Sequence, residues 1–558
     1  MKAGKQSAIK AIRDLTGKIN RGFAPSWHQL GLADESWRSL PYHLKDVKPL
    51  NQQALTDMAT AATKGRWLEA RKWLTEPYTA VPVPSHIPEA DMTAEGVKTM
   101  LKYKHCVEGS RTDALGEVRV FPTPEVHKNR NRVIKHCVGV NNNYGRDTLM
   151  GTQFLSRDSL LHSVLRGRYC VTLDFSAYFD VFEYAELIRG YFAFAHEGKV
   201  YFLTRMAMGQ RQAVDVACAA TDVLLDFPTD VYKDSHVDNV RFLSDDRDAL
   251  IDAVHTFLQR CRTAGVTVNE VDLTGEVSRD CIATLVCTAG EYLGLDFDYT
   301  AKKVRVAAKS VAKLKATTAL MRTGSFTYRN FLGHMALLMF VSPVLDLQVS
   351  RYYYAMRAYS RISADLQDKP WLLDTPLQIS KSRMAILLAW SELALQNQWR
   401  GIEARRPPQH VLVTDASKWG WGGFVLNLAT GAVRQVQGKW QDGYQGRRKS
   451  VYAETEGIKE ALLATFAANE AADILILTDS DAAKGAFRKG RSMIFELNRA
   501  ILAVQEHRPL LSIRVEHVEG KANVSDDLSR GKLPVADPQP HANAVRAQVL
   551  GLGISLEV

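Results

Sequence analysis

At 558 residues, 46% of them hydrophobic, the chain is long enough for three or four globular domains and too apolar for a disordered one. Its formal charge of +10 stands against 61 acidic residues, which excludes a simple basic tail and suggests basic grooves facing a partner made of phosphates. Seven dispersed Cys without a CxxC pair argue against a disulfide framework and a structural zinc site, and no stretch reaches the about 18 apolar residues of a membrane span, so an intracellular protein of cytoplasm or nucleus is expected.

Residues 1–95 open on a basic, weakly amphipathic stretch and carry Trp27, Trp37, Trp67 and Trp73 without a motif. The proline spacing of VPVPSHIPEA (81–90) is incompatible with helix and reads as a linker. Two strands joined by a basic turn follow at 117–147, with Lys128, Arg130 and Arg132 at the turn. Next comes YCVTLDFSAYFDVF (169–182), whose apolar, β-branched start suits a buried strand ending at Asp174, where a carboxylate is expensive to bury. A glycine turn and helix are expected over 204–225. In SHVDNVRFLSDD (235–246) the Asp238-Asn239 pair falls at a hairpin tip. Alone, an Asp at a strand end is more often a turn former than a metal ligand. Together, two acids on strand ends can meet around a divalent cation, the device of two-metal phosphoryl transfer.

Residues 247–264 form an amphipathic helix ended by Gly265, VTVNEV (266–271) starts a strand, and GEYLGLDFDYTAKKVRV (290–306) reads as a hairpin. Helices are expected from 308 to about 400, with 331–347 a helix pair interrupted by Pro343, and with aromatics interleaved with Arg in SRYYYAMRAYSR (350–361), a composition suited to nucleic acid although helix core explains most of those tyrosines. After ARRPPQ (404–409) a second unit begins. It presents Asp415 on a strand followed by a glycine turn and another strand, Glu454 near the start of a helix, Asp479 at a strand end, and Asp526 or Asp527 in NVSDDLSR.

LDFSAYFD and HVDNV resemble the two palm motifs of reverse transcriptases, the second usually Tyr-x-Asp-Asp. RNRVIKHCVGVNN resembles their finger hairpin, 204–225 their template-holding turn and helix, and Tyr292-Leu293-Gly294 their primer grip. The acids Asp, Glu, Asp and Asp on strand, helix, strand end and helix resemble ribonuclease H. DASKWGWGG and NVSDDLSR look like retrotransposons of the DIRS type, which include the VIPER elements of trypanosomatids.

The resemblance implies a multidomain α+β and α/β chain. Residues 1–95 would be a region of unknown role, 96–300 fingers and palm, 301–403 thumb and connection, 408–533 a ribonuclease H-like domain and 534–558 a tail. It implies an RNA-directed DNA polymerase with ribonuclease H activity, using two Mg²⁺ ions per active site, with Mn²⁺ as a substitute. Its partners would be RNA template, DNA primer, RNA/DNA hybrid and deoxynucleoside triphosphates.

Asp174, Asp238 and the backbone carbonyl of Phe175 would hold the palm ions. Arg132, with Arg130 and Lys128 as competing choices, would reach the triphosphate, and Asn141 would close the finger segment. Phe179 would be the steric gate against ribose, Gly209 would let the backbone approach the template base, and Gln210 would contact nucleotide or template. Asp415, Glu454, Asp479 and Asp526 would hold the nuclease ions, with Asp527 fitting a variant one residue longer. Where the family carries a second acid, this chain has Asn239, and His236 replaces the usual Tyr. The alternatives are a polymerase-inactive palm on a working hybrid nuclease, and a domesticated nucleic-acid-binding protein without activity.

Overall fold

The computed structural model describes residues 38–79, 81–125, 128–441 and 449–556; the basic start of the chain, with Trp27 and Trp37, lies outside them. The chain divides into two compact units, Met1–Val304 and Arg305–Val558, and is a multidomain mixture of α+β and α/β parts.

In the first unit, helices α1 (Gln52–Met58) and α2 (Lys64–Thr75) precede the hairpin β1 (Arg119–Glu125) and β2 (Arg130–His136). The central sheet has β3 (Tyr169–Asp174) against β5 (Asn239–Ser244), which in turn pairs with β4 (Tyr232–His236), all antiparallel. Helix α3 (Ala213–Leu225) packs in the core beside it, and α4 (Arg247–Ala264) buries Leu250, Val254, Phe257, Leu258 and Cys261 at helical spacing. Asp246 caps α4 by accepting the N–H groups of Asp248 and Ala249, which gives the acids after β5 a structural role, and Gly265 ends the helix in a left-handed turn.

Three local expectations change. The proline-rich 81–90 is not a free linker: the Ala90 N–H donates to the Ala195 carbonyl, the Ala195 N–H donates to the Pro88 carbonyl, and Ile87 is buried. Residues of α1 and α2, including Leu55, Trp67 and Leu74, share one hydrophobic core with the central sheet. VTVNEV forms no strand; Val268 makes a single bridge to Phe175 while Val266 and Val271 are buried, because the segment lies along the outer edge of β3. The hairpin β6 (Ala289–Tyr292) and β7 (Leu295–Asp298) closes at Leu293-Gly294, both left-handed, as a two-residue turn requires.

The second unit starts with four helices, α5 (Ala308–Thr323), α6 (Tyr328–Val344), α7 (Tyr353–Asp368) and α8 (Lys381–Leu395). The expected helix pair at 331–347 is the single α6, which carries Pro343 in its last turn, where the chain is about to leave the helix. Tyr352 stacks on buried Trp390 and Tyr353 packs edge-on against Phe495, so both partly buried rings have partners within the protein.

A five-stranded sheet follows: β8 (His410–Ala416), β9 (Gly420–Asn427), β10 (Val433–Lys439), β11 (Ala472–Thr478) and β12 (Leu511–His517), in the order β10-β9-β8-β11-β12. The first three are antiparallel neighbours; β11 runs parallel to β8 and β12 parallel to β11. Alternation along β8 sends Leu412 to the face covered by α9 (Lys449–Thr465) and α10 (Phe495–His507), and Val411 and Val413 to the other. That second face is covered by α12 (Gln539–Gly551), which comes after the short helix α11 (Asp526–Ser529) in the chain; its Ala542, Val545 and Val549 are fully inside, so the expected tail is a core element. No described helix is long and apolar enough to cross a membrane.

Candidate functional site

In the second unit, one carboxylate oxygen from each of Asp415, Glu454 and Asp479 lies within 4.8 Å of the others. Asp415 stands at the end of β8, where the sheet is buried on both faces, and Glu454 projects from α9 across the same edge. Asp479 is the first residue past β11. Asp415 Oδ2 accepts a short hydrogen bond from the Ser529 hydroxyl, and Glu454 Oε1 accepts the Ala416 N–H at 3.3 Å. Glu454 Oε2 is buried without a hydrogen-bond partner.

Burial, then the Asp415 and Asp479 charges, push the Glu454 carboxyl up to about 9. Burial, then Asp479 and Asp526, push Asp415 up to about 6 against the hydrogen bond from Ser529. Like charges stripped of water around an orphan oxygen suit a divalent cation, and the donor set is all oxygen.

Helix α11 reaches this edge only because β9 carries glycine: a Cβ on Gly422 would sit 2.5 Å from Leu528 Cβ and 2.7 Å from the Ser529 nitrogen. Asp526 contributes to the field at Asp415 and accepts two hydrogen bonds from Arg530, at 3.0 and 2.9 Å. Asp527 pairs instead with Lys532 at 2.7 Å, and that pairing is the main reason its carboxyl is held below its usual range.

In the first unit, β3 and β5 set Asp174 opposite Asn239, and the β4–β5 loop is Val237-Asp238, one residue earlier than the expected tip. The Asp238 carbonyl accepts the Phe175 N–H at 2.8 Å, which ties the hairpin tip to the end of β3. Val237 has φ of 56°, a left-handed conformation that a β-branched residue rarely adopts. Burial, then the charge of Asp238, raise the Asp174 carboxyl above its usual value, so the two acids share one local field. Asn239 donates its side-chain amide to Asp238 Oδ1 at 3.2 Å. His236 packs against Phe154 with ring centres 4.5 Å apart.

The remaining residues fall as follows. The Phe175 ring is buried, stacked on Tyr178 at 4.1 Å, and Phe179 is partly buried against the same core. Asp180, the second acid of LDFSAYFD, binds Lys135 of β2 at 2.8 Å and lies 3.5 Å from His105 Nδ1; burial opposes its charge, but the Lys135 ammonium and the hydrogen bond from His105 hold it well below the usual carboxylate range. Arg132 is half-exposed with one link to Glu125 at 2.9 Å, whereas Arg130 is tied to both Glu125 and His43. Asn141 brackets the glycine turn, donating to the Gly209 carbonyl at 2.7 Å and accepting the Arg211 N–H at 2.8 Å.

Gly209 is needed for an approach within the chain itself, since a Cβ there would lie 2.2 Å from the Lys135 carbonyl. The Gln210 side chain is buried: its Oε1 accepts from the Tyr184 hydroxyl at 2.7 Å, and its Nε2 donates to the Tyr78 hydroxyl at 3.1 Å. Those two tyrosines are remote from it in sequence.

Three residues absent from the sequence reading border Asp174. Asn269 Nδ2 donates to Asp174 Oδ2 at 2.8 Å, both Glu270 oxygens lie 3.1 Å from the Asp174 nitrogen and accept its N–H, and Lys45 Nζ donates to the Ser176 hydroxyl at 2.8 Å. The alternation of VTVNEV is the one local signal that marks the segment.

No family model and no curated protein matches the chain. Among solved structures, the foamy viral protease-reverse transcriptase in complex with an RNA/DNA hybrid is similar at TM-score 0.46 and 13% identity, over 87% of this chain and 64% of that one, so this chain spans less than two thirds of that length. A dRH form of that protein in complex with double-stranded DNA is similar at TM-score 0.45 and 14% identity, over 85% of this chain and 83% of that one.

Proposed function

We propose that the chain is an RNA-directed DNA polymerase that also degrades the RNA strand of the hybrid it makes, and that it serves a retrotransposon of the DIRS type. The observation that carries this reading is the presence in one chain of two acidic centres, each on its own compact unit: Asp174 with Asp238, and Asp415 with Glu454 and Asp479. Residues 96–300 would be fingers and palm, 301–403 thumb and connection, and 408–533 the hybrid nuclease.

Asp174 and Asp238 would hold divalent cations, Mg²⁺ or Mn²⁺, against the primer terminus and the nucleotide triphosphate, with the Phe175 carbonyl beside them. Asp415, Glu454, Asp479 and Asp526 would hold the nuclease pair. Bound cations supply Lewis acidity, which lowers the pKa of the attacking oxygen and stabilises the leaving one. The chain's own part is to hold these carboxylates in place before substrate arrives: β3 and the strained tip fix the palm pair, and Ser529 fixes Asp415. Half-exposed Arg132 would face the triphosphate, and Phe179 would lie under the sugar.

Primer extension on an RNA template, first in Mg²⁺ and then in Mn²⁺, tests the reading, together with cleavage of a labelled RNA/DNA hybrid. Both activities are expected; hybrid cleavage without extension in either metal removes the polymerase half. A second reading, a silent palm on a working nuclease, is favoured by the uncharged Asn239 and its amide bond to Asp238. Extension that appears only in Asn239→Asp decides for it.

A further inference from the structure

On the palm side, the charges facing Asp174 come from both edges of β3. Asp238 approaches from the hairpin edge, and Asn239 beside it brings an amide rather than an acid. On the opposite edge the Phe175–Val268 bridge and the hydrogen bond from the Asn269 N–H to the Asp174 carbonyl, at 2.9 Å, bring residues 268–270 alongside. Asn269 then donates its side-chain amide to Asp174 Oδ2, which fixes the rotamer and leaves Oδ1 for another partner. Glu270 is an exposed residue, yet its carboxylate is held on the Asp174 N–H by both oxygens. The nearest cation on that edge, Lys45, is engaged with the Ser176 hydroxyl and 3.5 Å from Asn269 Oδ1.

We propose that Glu270 supplies the palm centre with the full negative charge that Asn239 does not. It acts through its field on a divalent cation at Asp174 and Asp238. The inference rests on the polymerase reading. Both Glu270 oxygens lie 3.1 Å from the Asp174 nitrogen, within the range over which a charge acts on the site. One charge removed at this range, with partial screening, corresponds to about a tenfold change in affinity for a divalent ion.

The test uses the full chain with the nuclease centre disabled by Asp479→Asn and Glu454→Gln, and follows Mn²⁺ binding by electron paramagnetic resonance and calorimetry. Glu270→Gln keeps an oxygen for the Asp174 N–H and removes the charge, so thermal melting should be unchanged while Mn²⁺ binding at the palm weakens about tenfold. Adding Asn239→Asp to Glu270→Gln should restore it.

Unchanged binding in Glu270→Gln, with binding lost in Asp238→Asn, overturns the inference and leaves the polymerase reading standing. A loss that Asn239→Asp does not restore also overturns it, since it makes Glu270 a backbone cap alone. If the parent chain shows no Mn²⁺ site that Asp238→Asn removes, the polymerase reading fails and the inference with it.

Discussion

The two acidic centres are assembled in opposite ways. In the second unit three carboxylates converge from a strand, a helix and a strand end, two of them buried, and one oxygen is left without a partner. In the first unit one acid ends a strand and the other sits in the neighbouring hairpin loop, both partly open to water, and their surroundings are already hydrogen-bonded: Asn269 on Asp174, Asn239 on Asp238. Around Asp415 and Glu454 burial and like charge raise both carboxyls, whereas Asp174 and Asp238 are each held by a side-chain amide. Buried like charges give strong binding and a strong dependence on occupancy, and half-exposed charges give weaker versions of both.

Separate loss of the two activities is the largest effect expected. Asp174→Ala should lower primer extension at least about a hundredfold and spare hybrid cleavage, and Asp479→Ala should do the reverse. Loss of both from either substitution, in a chain that still melts cooperatively, would mean that the centres are not independent. At the fourth nuclease acid, Asp526→Asn should reduce cleavage about tenfold or more, while Asp527→Asn, which only frees Lys532, should stay near the parent rate. Equal losses would show that Asp526 is not favoured by its place near Asp415.

Gly422→Ala should destabilise the second unit by about 1–3 kcal/mol and slow cleavage with it, because the added methyl pushes α11 from the sheet. Denaturant melts and cleavage rates together check this, and an unaffected cleavage rate would show that α11 can shift without moving Asp526.

The smallest effect sharpens the contrast through pH. Glu454 and Asp415 have folded-state values of about 9 and about 6, above their ordinary 4.5 and 3.8, so the folded protein holds more protons than the unfolded one across that window. Stability of the metal-free chain should therefore fall as pH rises from about 5 to about 9. Mg²⁺ or Glu454→Gln should flatten the slope in thermal melts, and a slope unaltered by either would assign it to other groups.

Much of the nuclease centre is legible in the sequence because each acid sits beside its own periodic element: the β8 alternation places Asp415, and the glycines of GWGG mark the strand that α11 must approach. The last helix was not legible as core, since ANAVRAQVLG has too few large apolar residues to announce burial. In the palm, the strand-end acids and the cap at Gly265 follow from local pattern. Asn269 and Glu270 do not, for their meaning depends on a bridge to a strand about a hundred residues earlier, and contact across such a distance leaves no periodic mark. The burial of Gln210 is not legible for the same reason, its partners Tyr78 and Tyr184 being set by the tertiary core.

The left-handed Val237 makes the palm tip an evolutionary crossroads. Glycine at this position would relieve the backbone, so selection for heat resistance alone should find Val237→Gly early. The same change would loosen the tip that ties Asp238 to the end of β3 through the Phe175 N–H, so stability and the placing of that acid pull in opposite directions at one residue.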